Sequence, residues 1–367
     1  MKTLRIKDIC DKGSSNLKQK DVENQNGVYP VFGASGLIGK IDTYHQSKDY
    51  IAIVKDGSGI GRVTFMPAFS SVIGTLQYIL PKEGFNIKYI SYCLQSLDLA
   101  HYKQGAAIPH IYFRDYGEYE VNVEENPDDQ QRIVSYLDAE FAKIEALKSN
   151  AEKQLQAAKD LFQAALKELL TPKEGWVEKK LGEIGTFTRG GNFTKSDFVQ
   201  KGIPCIHYGQ IHMHFGVVTE NCLTYLPNDF PKLKFAQKGD LIIAITSEDN
   251  EGSCKCTAWL GSEDVAVGGH IAVFHHQLDP VFMSYFFMSP SFQNDKLAYT
   301  HGFKVVEIKP SDIAKIDISY PQLNEQKRIV ARLDALSANV KALQTNYTET
   351  ITLCNDLKQA LLKKVFE

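Results

Sequence analysis

The chain has 367 residues, of which 43% are hydrophobic and 23% are charged, and its formal net charge is −3. This length allows two domains. The slight negative charge argues against a protein that binds nucleic acid through a global basic charge. Any contact with nucleic acid must therefore come from local basic patches. No apolar run approaches about 18 residues, and the first residues lack the apolar core of a signal peptide, so we expect a cytoplasmic protein without a membrane span.

Residues 1–126 predict a first domain of short strands with one helical segment. The clearest strand is 50–54, because its β-branched residues favour an extended chain. A glycine-rich turn at 55–62 follows, a helix is expected within 86–99, and a short loop comes at 104–110. Turns beside strands present polar side chains on a rigid support, so five residues here are candidate ligand contacts. They are Lys55, Ser58, Arg62, Gln104 and His110.

A long helix is predicted at 127–171. Asn126 and Pro127 give a start signal, and Thr171, Pro172 and Gly175 mark its end. Apolar or small residues recur every seven positions in two rows, which is typical of a coiled coil. The first row contains Leu137, Ile144, Ala151, Ala158 and Ala165. The second contains Phe141, Leu155, Phe162 and Leu169, with Lys148 as its one break.

Residues 172–320 repeat the plan of the first domain. A strand is expected at 240–245, a polar turn at 246–255, an apolar run at 266–273 and a helical segment at 280–296. The polar side chains of the turns and loops differ from those of the first domain, which indicates related domains with different targets. The candidate contacts here are Arg189, Asn192, Lys195, Tyr208, Gln210, Ser247, Asn250, Lys255 and Lys304.

A second long helix at 321–367 repeats the first one. Residues 326–363 align without a gap on 130–167, with 17 identities in 38 positions. A repeat this regular predicts the order domain, helix, domain, helix. We therefore expect an α+β fold in which two similar mixed α/β domains are separated by two long helices that form an antiparallel coiled coil. Pairing within one chain is favoured over pairing between two chains, because the partner helix is already at high effective concentration. The expected buried row of the second helix is Leu333, Val340, Tyr347, Cys354 and Leu361.

Three other kinds of site fit the sequence less well. The glycines of 32–36 resemble a nucleotide or S-adenosylmethionine motif, but Pro30 lies in the preceding run and no long helix follows, so a turn is the better interpretation. The motif with which an amino-methyltransferase holds its target amine is also lacking. The second domain contains C-x-H and C-x-C spacings rather than the C-x₂-C of common zinc sites. A zinc site is therefore the less favoured alternative to scattered reduced thiols, and we predict no catalytic residues, no metal and no cofactor in this chain.

The motif Q-x-R-I-V-x-x-L-D stands at 130–138 and again at 326–334. This motif, together with the order and number of units, resembles the specificity (S) subunit of type I restriction-modification systems. The segments 29–39 and 308–313 are also typical of that family. The resemblance covers the whole chain.

The resemblance implies that each variable domain is a target-recognition domain for one half of a bipartite, asymmetric site in double-stranded DNA. It also implies that the helices bind two modification (methyltransferase) subunits, and that restriction (translocase/nuclease) subunits join the complex. S-adenosylmethionine and ATP with Mg²⁺ would be cofactors of those partners, not of this chain. The candidate residues would then be DNA contacts, since Arg, Lys, Asn, Gln and Ser bind base edges and phosphates. The alternative from another class is a coiled-coil protein–protein adaptor without DNA specificity.

Overall fold

The computed structural model describes residues 1–23, 25–105, 109–302 and 304–367. The predicted loop at 104–110 therefore includes three residues, 106–108, that lie outside the described residues. The chain divides into two compact units, which are Met1–Lys153 with Tyr347–Glu367, and Gln154–Asn346. No helix among the described residues combines the length and apolarity needed to cross a bilayer.

The described residues of the first domain form three small sheets with the orders β2-β8-β5-β6, β4-β3-β7 and β1-β9. Its elements are β1 (Lys2–Arg5), α1 (Ile6–Ile9), β2 (Cys10–Ser14), β3 (Tyr29–Gly33), β4 (Gly36–Ile41), β5 (Tyr50–Val54), β6 (Val63–Met66), β7 (Ser71–Val72), β8 (Leu76–Pro81), α2 (Ile87–Gln95), α3 (Phe113–Tyr116) and β9 (Glu120–Val123). Strand β5 is buried on both faces. Ile51 and Ile53 belong to the apolar cluster that contains α2, whereas Tyr50, Ala52 and Val54 belong to the cluster under β3. The predicted strand at 50–54 and the helix within 86–99 are confirmed.

The second domain follows the first long helix, α4 (Pro127–Leu170). Its elements, and the last helix, are β10 (Val177–Lys180), α5 (Leu181–Ile184), β11 (Gly185–Arg189), β12 (Ile203–Ile206), α6 (Tyr208–Met213), β13 (Val218–Thr219), β14 (Thr224–Leu226), β15 (Phe235–Ala236), β16 (Leu241–Ala244), β17 (Thr246–Ser247), β18 (Cys256–Trp259), β19 (Val265–Val267), β20 (Ile271–His276), α7 (Pro280–Met288), α8 (Pro290–Asp295), β21 (Val306–Glu307), α9 (Pro310–Ile313), β22 (Asp317–Tyr320) and α10 (Leu323–Phe366). The sheets are β11-β20-β16-β18-β13, β14-β12-β19-β15, β10-β22 and β17-β21. Strand β16 repeats the pattern of β5, because alternate side chains enter two different apolar clusters.

The long helices α4 and α10 have 44 residues each. In the first unit they run antiparallel, since Lys148 Nζ donates to Asn355 Oδ1 at 3.2 Å and Lys358 Nζ lies 3.3 Å from Glu145 Oε1. Most of the predicted rows are buried. The members buried on α4 are Leu137, Phe141, Ile144, Ala151, Ala158 and Leu169, and those on α10 are Leu333, Val340 and Cys354.

The predicted row is wrong near the end of α10. Leu361 is only half-buried, whereas Leu362 and Phe366 are buried in the first unit. A helix with 3.6 residues per turn drifts by about 20° per heptad relative to a strict 3.5-residue repeat, so the buried side moves to the next position. Phe366 lies beside Tyr89 of α2, with ring centroids 5.3 Å apart.

The repeated glutamine of the helix motif anchors each domain to its helix. Gln130 is fully buried, and its Oε1 accepts the backbone N–H of Asn86 at 2.6 Å, while its Nε2 donates to the carbonyls of Glu124 and Gly84. Asn86 is the N-cap residue of α2, with its side chain accepting two backbone N–H groups. The glutamine therefore fixes the residue that starts the domain helix.

Gln326 makes the equivalent contacts in the second unit. Its Oε1 accepts the backbone N–H of Asp279 at 2.8 Å, and its Nε2 donates to the carbonyl of Pro321 at 2.8 Å. Asp279 is the N-cap residue of α7. We call Gln130 and Gln326 the anchoring glutamines.

The aspartate of the motif adds a second contact of the same kind. Tyr92 of α2 donates its hydroxyl to Asp138, and Tyr285 of α7 donates to Asp334 Oδ1 at 2.6 Å. Burial, together with the neighbouring carboxylate, raises the pKa of Tyr285, so its hydroxyl stays a donor. The residues shared by the two helices are thus explained by attachment of the domains as well as by coil packing.

Replacing Gln326 with Ala should destabilise the second unit by about 1–3 kcal/mol, because a buried N–H and a buried carbonyl lose their partner. The measurement is hydrogen exchange of the α7 amides, which reports local opening in a chain with two units. Gln154→Ala is the matched control, since Gln154 is exposed on α4. Equal protection of α7 in the two variants would contradict the anchoring role.

Candidate nucleic-acid interface

The loop after β5 in the first domain depends on glycine. Gly57, Gly59 and Gly61 have φ angles of +81°, +79° and +82°, a region that other residues rarely adopt. A Cβ on Gly61 would also lie 2.6 Å from the backbone nitrogen of Ala100. Ser58 is exposed between the first two glycines. The backbone of this loop is therefore fixed, and Ser58 faces solvent from a rigid support, while Ile60 packs against the apolar core.

Four of the five predicted contacts of the first domain share a pair of loops. Gly57 donates its N–H to the carbonyl of Pro109 at 3.1 Å, and Ile111 donates to the carbonyl of Lys55 at 3.0 Å. Gln104 and His110 exchange two backbone hydrogen bonds of 2.8 Å. His110 also contacts the carboxylate of Asp56. The structure therefore brings Lys55, Ser58, Gln104 and His110 together.

Arg62 lies on the other side of the same loop. Its guanidinium is exposed and donates to the carbonyl of Ala34 at 3.0 Å. Ala34 belongs to the hairpin turn between β3 and β4. The glycines of 32–36 thus form a turn, as interpreted from the sequence.

Tyr112 and Arg114 extend this surface and were not among the predicted contacts. The guanidinium of Arg114 lies 4.5 Å from the ring centroid of Tyr112. The ring centroid of His110, two residues earlier in the chain, lies 4.2 Å from that of Tyr112. Both Tyr112 and Arg114 are exposed. The spacing of His110 and Tyr112, two residues apart in an extended segment, was the signal that could have indicated a shared face.

Glycines also set the second domain's surface, here by close approach of backbones. Gly191 donates its N–H to the carbonyl of Val267 at 2.8 Å, and Gly268 donates to the carbonyl of Ile206 at 3.0 Å. A Cβ on Gly190 would lie 2.1 Å from the carbonyl oxygen of Gly268. This junction gathers the segments that carry Arg189, Asn192 and Tyr208.

Arg189 is held at the edge of this junction. Its Nε donates to the carbonyl of Gly269 at 2.9 Å, and its Nη2 lies 3.2 Å from Glu307 Oε1. Asn192 and Lys195 are exposed nearby in the chain, and Lys304 is exposed shortly before β21. The carboxylate of Glu307 therefore competes with any external anion for Arg189.

Thr246 connects the junction to the loop that carries Ser247, Asn250 and Lys255. Its hydroxyl lies 3.0 Å from His270 Nδ1, and its carbonyl lies 3.1 Å from His212 Nε2. Lys255 Nζ donates to the carbonyl of His212 at 2.7 Å. Tyr208, Ser247 and Lys255 line one open cavity of about 1420 Å³ in the second unit. These predicted residues therefore share one surface.

His207, His212 and His270 belong to this surface and were missed as contacts. The ring of Tyr208 lies 4.5 Å from that of His207, 6.0 Å from that of His212 and 5.1 Å from that of His270. Burial, helped by Lys195 and His270, lowers the pKa of His207, which favours its neutral form. Seven of the ten histidines lie in this domain. This concentration could have indicated a contact surface, but from the sequence we considered these residues only as metal ligands.

Gln210 supports the fold from inside the domain. It is buried, its Oε1 accepts the backbone N–H of His207 at 2.8 Å, and its Nε2 donates to Thr224 Oγ1 at 3.0 Å. Because its amide caps the start of α6, we assign it to the support of the loop and leave it out of the proposed DNA contacts. For the other predicted residues, contact with DNA stays a prediction.

The cysteines of the second domain are neutral thiols. Burial raises the pKa of Cys254 to about 12, and burial with the nearby Cys205 raises the pKa of Cys222 to about 12. Across 1–23, 25–105, 109–302 and 304–367, no group of three or more His, Cys, Asp or Glu side chains is placed to hold a metal ion.

A family model described as the type I restriction modification DNA specificity domain matches residues 1–157 and 173–353. The chain belongs to this family. Both matched segments contain one variable domain and the start of the long helix that follows it. The predicted resemblance and the predicted α+β architecture are confirmed.

Curated relatives named as type I restriction enzyme specificity subunits match this chain, and solved structures share its fold. The specificity subunit of the type I restriction enzyme MjaVIII of Methanocaldococcus jannaschii is 21% identical over 313 aligned positions, which cover 78% of this chain and 72% of that protein. The EcoDI specificity subunit of Escherichia coli is 19% identical over 397 aligned positions, which cover 100% of this chain and 87% of that protein. A chain from a study of complex assembly and conformational transition of the type I R-M system superposes with a TM-score of 0.74, 18% identity and coverage of 99% and 96%. The HsdS subunit from Thermoanaerobacter tengcongensis gives a TM-score of 0.50, 17% identity and coverage of 99% and 95%.

Proposed function

We propose that this chain is the DNA-recognition subunit of a type I restriction-modification complex and that each variable domain contacts one half of a bipartite, asymmetric DNA site. The observation that carries the proposal is that two domains with the same anchoring contacts present different polar loop surfaces. The match of a DNA specificity family to both halves supports it. Two different surfaces on one chain suit two different half-sites.

The chemistry of both surfaces suits contact with duplex DNA. In the first domain, Arg114 lies against the exposed ring of Tyr112, and Lys55 belongs to the loop that pairs with this segment. Arg62 supplies a further positive charge on the other side of the loop. In the second, Lys255 lies beside a group of histidines and Tyr208. Arginine and lysine bind phosphates and guanine edges, and neutral amides and hydroxyls bind the other bases. Local patches of this kind compensate for the low net charge of the chain.

Arg62→Ala and Lys255→Ala should each weaken recognition by about 1–3 kcal/mol if the side chain contacts a base, and relax one position of its own half-site. A side chain that contacts only phosphate should weaken binding to all sequences equally. The measurement is methylation of a library of duplexes by the chain assembled with its modification subunit. Each position of the site is then scored for the two variants.

Lys179→Ala is the control for loss of one positive charge, because Lys179 is exposed on β10, a strand that belongs to neither loop surface. Unchanged methylation and sequence choice in both Arg62→Ala and Lys255→Ala would contradict the assignment of the loops. If the parent complex shows no sequence preference, the result favours the alternative function, a coiled-coil adaptor without DNA specificity.

We also propose that the chain has no catalytic activity of its own and that S-adenosylmethionine and ATP with Mg²⁺ act in its partners. Membership of a specificity family supports this division. The purified chain, mixed with DNA and S-adenosylmethionine, should transfer no methyl group until a modification subunit is added. Transfer by the isolated chain at the rate of the complex would contradict the proposal.

The helices are proposed to bind two copies of the modification subunit, and a repeated set of exposed leucines supports this. Leu147 and Leu161 of α4 are 58% and 52% exposed, and their repeat counterparts Leu343 and Leu357 are 39% and 48% exposed. Because these leucines are exposed, coil packing does not explain why both helices keep them. Apolar side chains that are exposed and repeated indicate a protein surface that is used twice.

Each unit holds one pair of these leucines. The first unit contains Leu147 and Leu357 at one level of its helix pair, beside the contact of Lys148 with Asn355. The second unit contains Leu161 and Leu343, which the repeat relates to that pair. One partner copy for each unit therefore fits the arrangement. Restriction subunits would join the complex through further contacts.

The double variant Leu147→Gln/Leu357→Gln should bind one modification subunit instead of two, and Leu161→Gln/Leu343→Gln should do the same. Glutamine keeps a high helix propensity, so the helices should remain intact. The stoichiometry is measured by native mass spectrometry of the complex. Leu353→Gln is the matched control, because Leu353 is 65% exposed on α10 but its repeat counterpart is Ala157. Two bound copies in both double variants would exclude these leucines from the interface.

A further inference from the structure

Lys296 is a buried lysine in the second domain. Its side chain is only 1% exposed, at the start of a 3₁₀ turn, Lys296–Tyr299. Its Nζ donates to the carbonyl of Ser253 at 2.6 Å and lies 3.4 Å from the carbonyl of Glu251. Burying an ammonium group costs free energy unless the group is hydrogen-bonded. The contacts with these two carbonyls offset that cost.

Both carbonyls belong to the loop between β17 and β18, which is folded on itself. Gly252 donates its N–H to Asp249 Oδ1 at 2.6 Å, and Ser253 Oγ donates to the carbonyl of Asn250 at 2.8 Å. Cys254 has a φ of +60°, a strained conformation for a residue with a side chain, and this conformation persists only where the surroundings hold it. The bonds from Lys296 act on the residue directly before this strained position.

The strained turn separates buried from exposed residues. Ser253 and Cys254 are buried, whereas Asn250 and Lys255 on either side of them are exposed. Lys255 reaches the carbonyl of His212 on α6, so the loop continues into the surface around Tyr208. The conformation that buries Ser253 is therefore the one that presents Asn250 and Lys255.

We propose that Lys296 is a positioning residue for recognition of the second half-site, because its ammonium group fixes the loop that carries Ser247, Asn250 and Lys255. The inference rests on the proposed function and adds to it a residue that touches no DNA. A compact ammonium with three donors suits two converging carbonyls better than the planar guanidinium of arginine does. The proposal also explains why this domain keeps a charge in its interior.

The test uses the full chain assembled with its modification subunit and the library of duplexes. Lys296→Met keeps the length of the side chain and removes the donor. Sequence preference at the second half-site should fall roughly tenfold, the effect of losing a charged hydrogen bond, while preference at the first half-site stays unchanged. Lys309→Met is the matched control, since Lys309 is exposed in the same domain.

The effect of Lys296→Met in the Lys255→Ala background distinguishes a positioning role of Lys296 from a role in the overall stability of the domain. Adding Lys296→Met to Lys255→Ala should cost less than adding it to the parent chain, because both changes act on one loop. Lys296→Gln, which keeps a neutral donor, is used if the methionine variant does not fold. A folded variant with unchanged preference at the second half-site overturns the proposal, as does failure of both variants to fold, since Lys296 would then serve the whole domain. Absence of any preference in the parent complex would instead overturn the proposed function.

Discussion

The buried amides of Gln130 and Gln326 hold the first residue of a domain helix against a long helix, and the arrangement of each unit follows from that contact. An amide side chain offers both a donor and an acceptor, so it can satisfy a helix-starting N–H and a neighbouring carbonyl together. The tyrosine–aspartate contact further along α2 and α7 then sets the rotation of the domain helix. With position and rotation fixed by residues of the motif, the loops of each domain are free to differ.

The two domains stabilise their exposed loops by different physical means. The first uses glycines in the left-handed region and backbone pairing to a second loop, so its rigidity is a property of the main chain. The second uses hydrogen bonds made by side chains, including those of the buried ammonium of Lys296 and the hydroxyl of Thr246. The fold common to both domains therefore does not extend to the way in which their loops are held. This is the physical counterpart of the sequence divergence between the loops.

The sequence predicted the elements whose signal is local. The long helices, strand β5 and the order of units follow from periodicity and from an internal repeat, which need no knowledge of distant contacts. The contacts made between segments were not predicted. Lys296 is a residue type that is seldom buried, and Gln210 has the polar character of an exposed contact. His270 joins the surface through contacts with Thr246 and Tyr208, which are distant in the sequence. The burial of Leu362 instead of Leu361 depended on an accumulated drift that a strict heptad ignores.

The alternating glycines of the first domain restrict how its target could change during evolution. Gly57, Gly59 and Gly61 are locked by their backbone angles, so substitutions at these positions would strain the loop before they altered any contact. Of the residues that alternate with the glycines, Ser58 and Arg62 are exposed and can vary, whereas Ile60 packs against the apolar cluster that contains α2. The backbone of the loop is therefore constant while two exposed side chains can be exchanged, so new specificities can arise there by point substitution without a change in loop length.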